Sequence, residues 1–174
     1  EQRWIDASFN GSTSYITPEN VIISGASTFE IEATAKAEQL IGFRNIYSES
    51  LWTASKVLFR VYGSSPTYFS SYSDTSSGWA QPIGSTELSV DTEYNFKTIY
   101  GGSDSKVFID GIEDGSELQT GTVDVTDDNK IGAQAAGGVP TGGFWWGSIR
   151  GLAITVDGAK VLNTPLLGCS LDLS

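Results

Sequence analysis

Two glutamates have a spacing at which paired carboxylates could act in acid–base or nucleophilic catalysis. Glu30 and Glu32 are two positions apart in segment 28–36, TFEIEATAK. In a strand both side chains would lie on one face, about 7 Å apart at the usual rise per residue. Such a pair can act as acid and nucleophile in glycoside hydrolysis, although the retaining reaction needs about 5.5 Å between them across the sugar. A solvated polar face accounts for the same pattern, and we expect no catalytic residue.

Aromatic side chains offer a second chemistry, because Trp and Tyr rings can stack on the apolar C–H faces of sugars. Loops on a rigid scaffold hold most binding sites, and Trp52 and Trp79 fall in or beside predicted loops. The candidate ligand-binding residues are Trp52, Tyr68, Tyr72, Trp79 and Trp146. Core packing is the alternative for each, and it is the prediction for Trp145, which shares strand parity with Gly147 and Ile149. Aromatic patches can equally be protein contacts.

The composition excludes several classes of site. The chain has no histidine and a single cysteine, Cys169, which rules out an internal disulfide, a structural zinc site and any imidazole-based triad. Ten basic and 21 acidic residues give a net charge of −11, which argues against nucleic-acid and anionic-membrane partners. No apolar run suits a transmembrane helix and no signal peptide opens the chain, so membrane insertion is not expected.

The elements that must position these residues are strands. Residues 28–36 alternate strictly between apolar and polar, which predicts a central strand with one wet face. Residues 39–47 are expected to be its antiparallel partner, and 48–55 a loop that holds Trp52. Residues 56–62, KVLFRVY, predict a strand that buries alternate apolar residues, and 67–72 are expected to pair back against it.

Residues 94–115 predict a three-stranded meander. Tyr94, Phe96, Thr98 and Tyr100 fall on one face of the first run, and an Asp110-Gly111 pair suits a type I′ hairpin turn. With 20 glycines and 20 aromatic residues, the whole chain predicts about a dozen short strands separated by turns. That pattern is typical of a two-sheet sandwich or a barrel, and 174 residues suit one domain, 1–174.

The order of several motifs resembles a known family. The segments are SFNGSTSYITP, FEIEATAKA, YNFKTIYGGSDSKVFIDGIEDGS, NKIGAQA and FWWGSIRGLAIT. Together they resemble the laminin-G-like, or concanavalin A-like, jelly-roll domains, in which an Ile-Asp-Gly turn precedes an Ile-Gly strand and an aromatic-x-Gly-x-Ile strand. The resemblance covers about 4–166, which leaves 167–174 as a C-terminal tail. The ending ITVDGAKVLNTPL is similar to versions in phage structural and bacterial surface proteins.

The resemblance implies an all-β fold, a two-sheet antiparallel β-sandwich of the concanavalin A-like (laminin-G-like) jelly-roll type. It implies carbohydrate binding or adhesion as the commonest role. Glucanases of this architecture use an E-x-D-x-E strand, and here Thr34 stands in place of the third carboxylate. Polysaccharide lyases of the fold usually combine His, Arg and Tyr, and this chain has no histidine.

The resemblance also brings calcium into consideration, since many members hold Ca²⁺ with loop carboxylates and backbone carbonyls. Acids of the right type are Asp104, Asp124, Asp127 and Asp128. None stands in a D-x-D-x-D-G loop, so no metal ligand and no cofactor are assigned.

These observations lead to one hypothesis with two alternatives. The expected function is a non-catalytic carbohydrate-binding or adhesion module, a lectin-like domain of a phage virion or cell-surface assembly. Its partner would be a glycan or cell-surface polysaccharide, together with neighbouring virion or surface proteins, and its location extracellular or on a virion surface. The first alternative is a purely structural decoration subunit that binds neighbouring proteins. The second is a glycan hydrolase or lyase.

Overall fold

The computed structural model describes residues 7–18, 22–51, 54–63, 66–124, 126–135, 140 and 142–164. The described strands are β1 Ala7–Asn10, β2 Phe29–Ala37, β3 Arg44–Leu51, β4 Ala54–Tyr62, β5 Tyr68–Thr75, β6 Gly78–Ala80, β7 Glu93–Tyr100, β8 Asp104–Ile109, β9 Ile112–Leu118, β10 Asp128–Ile131, β11 Trp146–Val156 and β12 Ala159–Thr164. No helix of a length and apolarity that could span a membrane occurs in these ranges.

The strands form two antiparallel sheets. One sheet has the order β1-β11-β2-β7-β8-β9, with β12 also paired to β11, and the other has the order β10-β3-β4-β5-β6. In β2 every second residue from Phe29 to Ala37 is buried and those between are half-buried. This alternation places one face of β2 on the core, and the sequence prediction of a central strand with one wet face is confirmed.

The core lies between the two sheets. The ring of Phe69 lies between Phe59 on its own sheet and Phe96 on the other, with centroid distances of 5.0 and 4.8 Å. Trp145 is fully buried beside this layer, as its parity predicts. Burial of such aromatic rings is the main stabilising contribution to a sandwich of this kind.

The predicted meander is present as β7, β8 and β9. Asp110 and Gly111 both have positive φ, 51° and 81°, as a type I′ turn requires. The Asp110 carboxylate accepts a hydrogen bond of 2.9 Å from the backbone N–H of Asn95, which ties the turn to the start of β7.

The prediction that 39–47 pairs with β2 is wrong. The neighbours of β2 are β7 and β11, whereas β3 belongs to the other sheet. The chain crosses between the sheets after Ala37, so these consecutive strands lie in different sheets rather than side by side. Alternation shows which face of a strand is buried but not which strand pairs with it.

The prediction of a loop over 48–55 is also wrong for its described part. β3 continues to Leu51 and β4 begins at Ala54. The polar run Ser48-Glu49-Ser50 suggested a loop, yet all three residues are fully buried. Glu49 is tolerated inside because its carboxylate accepts hydrogen bonds from the backbone N–H groups of Ile22 and Ile23, at 2.9 and 2.8 Å.

Candidate functional site

The outer face of the five-stranded sheet gathers most of the candidate residues. Phe69 on β5 points into the core, and successive side chains of a strand point to opposite faces. The outer face of β5 therefore holds Tyr68, Ser70, Tyr72 and Asp74. These four positions span about 20 Å at the usual strand rise. Because partners in register share a face, β4 adds Arg60 opposite Ser70 and Tyr62 opposite Tyr68, and β6 adds Trp79 opposite Asp74.

A stacked aromatic pair forms one end of this face. The rings of Tyr72 and Trp79 are 6.2 Å apart between centroids, with an interplanar angle of 20°. Trp79 is 64% exposed because β6 is the edge strand and pairs only with β5. Burial, followed by the charge of Asp74, raises the pKa of the Tyr72 phenol. The pair therefore offers a fixed, open indole surface at the sheet edge.

Charged side chains border the stacked pair. Lys56 Nζ lies 2.6 Å from Asp74 Oδ2 and 2.9 Å from Asp124 Oδ2. The hydrogen bonds to Asp74 and Asp124 raise the pKa of Lys56. Two carboxylates share one ammonium group, so acceptor oxygens remain for further donors beside the aromatic surface.

A second aromatic cluster forms the other end of the face. The guanidinium carbon of Arg60 lies 4.7 Å from the ring centroid of Phe43 and 5.5 Å from that of Tyr62. The two rings are themselves 5.2 Å apart. Burial lowers the pKa of Arg60. Such cation–π contacts hold the guanidinium against the two adjacent rings without using its N–H donors.

The β3 side of the face is covered. Ser48 Oγ donates to the Ala133 carbonyl at 2.8 Å and accepts from the Ala135 N–H at 2.6 Å. Gln134 Nε2 donates to Ser55 Oγ at 2.8 Å. Segment 133–135 therefore lies over β3, and the exposed and half-buried candidate side chains of this face are on β4, β5 and β6.

The structure brings together three of the five candidate aromatics, Tyr68, Tyr72 and Trp79. Trp146 lies at the start of β11 on the outer face of the other sheet, 40% exposed, and its Nε1 donates to Glu38 Oε2 at 3.2 Å. The two sites are on opposite sides of the sandwich. Trp52 lies outside the described residues.

The two glutamates with enzyme-like spacing are engaged on the outer face of the seven-stranded sheet. Glu30 Oε1 lies 2.8 Å from Lys97 Nζ, and Glu32 Oε1 accepts a hydrogen bond of 3.0 Å from Asn95 Nδ2. Neighbours on β7 thus hold both carboxylates, which is the arrangement of a solvated polar strand face.

The loop acids considered for calcium also have protein partners. Asp124 binds Lys56, Asp104 lies 3.4 Å from Lys106 Nζ, and Asp128 pairs with Lys130. The backbone N–H of Asp127 donates to the Ser50 carbonyl. Within the ranges that the structure describes, no three acidic, cysteine or histidine side chains are grouped as a metal site.

Sequence reasoning missed Lys56, Arg60 and Tyr62. A signal was present, because all three alternate with the buried residues of 56–62 and must face outward. The predicted pairing of that segment with 67–72 is present, and its register places Arg60 opposite Ser70. Phe43 gave no such signal, since it precedes β3 and the register of β3 shifts between Asn45 and Tyr47.

Comparison with known proteins identifies the fold. No protein-family model and no curated protein matches the chain. Solved structures do match. A Ruminococcus gnavus sialidase CBM40 domain bound to α2,3-sialyllactose is 12% identical, with TM-score 0.70 over 90% of this chain and 91% of that one. Domain 4 of a Geobacillus stearothermophilus extracellular arabinanase, in complex with arabinotriose, is 18% identical, with TM-score 0.64 over 92% and 72%. Mouse laminin α1 domains LG4-5 are 16% identical, with TM-score 0.60 over 94% and 43%.

These similarities agree with the two antiparallel sheets described above, and at such low identity they concern the fold. The chain is therefore an all-β sandwich with the concanavalin A-like, laminin-G-like jelly-roll fold.

Proposed function

We propose that this chain is a non-catalytic carbohydrate-binding module that stacks a glycan on the Tyr72–Trp79 pair. The observation that carries the proposal is the exposure of Trp79, 64%, while its ring is held parallel to Tyr72. A large rigid ring loses little conformational entropy on binding, and a planar apolar surface suits the C–H face of a pyranose.

Polar groups beside the pair would orient the sugar. The Lys56–Asp74–Asp124 network lies next to Tyr72 on the same face. Its spare carboxylate oxygens can accept hydrogen bonds from sugar hydroxyls, while the aromatic surface provides contact area. A few placed polar groups around an apolar surface are the usual composition of a ligand site.

The comparisons support carbohydrate as the ligand class. Two of the structurally similar domains were solved with sialyllactose and with arabinotriose. The second is one domain of a larger arabinanase. A non-catalytic role agrees with the partners of Glu30 and Glu32, which are held by Lys97 and Asn95.

The proposed setting is an extracellular surface or a phage virion, where such a module would attach its assembly to a cell-surface polysaccharide. The motivation is the likeness of ITVDGAKVLNTPL to phage structural and bacterial surface sequences. A negatively charged module, at −11, would stay soluble when displayed in many copies.

A purely structural subunit is the second candidate, and a specific observation favours it. On edge strand β9, Ile112 is 74% exposed and Leu118 is 87% exposed. Exposed apolar residues on an edge strand suit contact with a neighbouring protein.

A glycan array with wild-type protein and Trp79→Ala separates the two candidates. Saturable binding that is lost in Trp79→Ala supports the module, and Trp146→Ala is the matched control because it removes an exposed tryptophan from the opposite face. If no glycan binds saturably and Leu118→Asp instead changes the self-association of the protein, the result supports the structural subunit and contradicts the carbohydrate-binding module.

A further inference from the structure

Arg60 occupies an unusual position for a cation in this chain. The sequence contains 21 acidic residues, and six of the seven described salt bridges use a lysine. Arg60 has no carboxylate and no hydrogen-bond acceptor among the residues that the structure describes; its contacts are the rings of Phe43 and Tyr62.

Two of the eight buried side-chain polar atoms that lack a hydrogen-bond partner in the described part of the chain lie together at the centre of the face. Arg60 Nε and Ser70 Oγ are both buried without a hydrogen-bond partner in the described part of the chain, and the two residues are direct partners in register. Both atoms are closed to solvent, so they make this position costly to leave without partners but are not themselves the contact point for a ligand.

The chemistry of the guanidinium selects the ligand. The side chain of Arg60 is half-buried, and its terminal nitrogens are not among the buried atoms without a partner. A planar fork of N–H donors matches a carboxylate in two parallel hydrogen bonds, and partial burial strengthens such a charge pair.

Building on the proposed function, we infer that Arg60 recognises the carboxylate of an acidic sugar in the glycan that stacks on Tyr72 and Trp79. Asp74 lies four positions after Ser70 along β5, about 14 Å away at the usual rise. The acidic sugar would therefore lie at the Phe43–Tyr62 end, away from Asp74 and Asp124. A neutral sugar would occupy the Trp79 end.

The net charge of −11 does not oppose this placement. The acids nearest the stacked pair are neutralised in part by Lys56, and Arg60 is the unpaired cation on the described part of this face. A charge at hydrogen-bond distance in a half-buried site outweighs distant charges, which are screened beyond about 8 Å at physiological salt.

The test is an array of uronate- and sialate-bearing oligosaccharides, each printed beside its carboxyl-reduced counterpart, followed by calorimetric titration of the tightest pair. We expect the dissociation constant of the acidic form to be lower than that of the reduced form by about tenfold or more. Arg60→Gln should bring the ratio of the two affinities to within about twofold of unity, mainly by weakening binding of the acidic form. Arg60→Lys should retain part of the preference, because the charge remains without the fork.

Arg150→Gln is the matched control. It makes the same change in net charge on the outer face of the other sheet, where Arg150 lies 3.5 Å from Glu93, and it should leave the preference intact. If Arg60→Gln does not fold, Arg60→Lys and the wild-type comparison of acidic and reduced forms decide the matter.

The outcomes separate this inference from the proposed function. If the acidic and reduced forms bind equally and binding still depends on Trp79, the acidic-sugar inference is overturned and the proposed carbohydrate-binding function is retained. A preference that survives in Arg60→Gln overturns the inference as well. Binding of no glycan of either form overturns both.

Discussion

The indole ring of Trp79 lies nearly parallel to the phenol ring of Tyr72, at an interplanar angle of 20° and a centroid distance of 6.2 Å. The two residues are on neighbouring strands, with Trp79 in register with Asp74 rather than with Tyr72. Tyr72 thus supports the indole diagonally and holds it in one orientation. We regard this support as the reason that an edge tryptophan can serve as a binding surface.

Tyr72→Ala should weaken glycan binding about tenfold, because the indole of Trp79 loses the ring that orients it. Tyr72→Phe should stay within about threefold of wild type, since the ring is retained and only the hydroxyl is lost. Calorimetric titration of both variants with the same glycan measures this difference. Equal weakening in the two variants would show that the hydroxyl, rather than the ring, matters.

Glu49 should be essential for stability although its side chain is not part of the proposed site. Its carboxylate accepts from Ile22 N–H, Ile23 N–H, the Tyr47 hydroxyl at 2.5 Å and the Thr126 hydroxyl at 2.8 Å. Glu49→Ala leaves these donors unsatisfied, so the free energy of unfolding should fall by about 3 kcal/mol or more.

Urea denaturation measures the effect of Glu49→Ala. Glu49→Gln should lose less, because an amide oxygen still accepts two of the bonds. The matched control, Glu113→Ala, removes an exposed carboxylate near Lys106 and should change stability by less than about 1 kcal/mol. A loss for Glu49→Ala as small as that of the control would contradict the account.

Stability should fall at alkaline pH. Burial, and then the neighbouring Glu49 carboxylate, raises the pKa of Tyr47 well above 10.0. The unfolded chain therefore releases this proton first as pH rises, so the stabilisation is complete below about pH 10 and is lost as pH climbs toward the folded-state pKa. The pKa values of Tyr72, Tyr100 and Lys56 are raised too, and each acts in the same direction.

The free energy of unfolding between about pH 8 and pH 11 tests this dependence. Tyr47→Phe should be less stable at neutral pH, because it loses a buried hydrogen bond, and should show a shallower alkaline decline. A decline as steep as that of wild type would mean that Tyr47 does not contribute.

Much of the fold could be predicted from period-two patterns. The alternation in β2, β7 and β8 reflects one face on the core and one in solvent, and Asp110-Gly111 fixes its hairpin by local geometry alone. These features depend on residues close in sequence. Strand partners depend on distant residues, and the pairing of β2 with β11 had no local signal.

The candidate site was only partly predictable for the same reason. Tyr68 and Tyr72 were nominated by aromatic type and strand parity, and Trp79 by its position beside a predicted loop, although the structure places it on β6. No carboxylate of the described residues reaches Arg60, and the lack of a partner has no sequence signal. Glu49 looked like a loop residue because its backbone donors lie 26 and 27 positions away.

The most direct test of the central claim is a calorimetric titration of wild type and Trp79→Ala with the strongest glycan from the array, with Trp146→Ala as the control. Since Trp79 is mostly exposed, its removal should leave the thermal midpoint within about 2 °C of wild type. The account predicts that binding falls by at least about tenfold in Trp79→Ala and is unchanged in Trp146→Ala. Undiminished binding by a folded Trp79→Ala protein would contradict it.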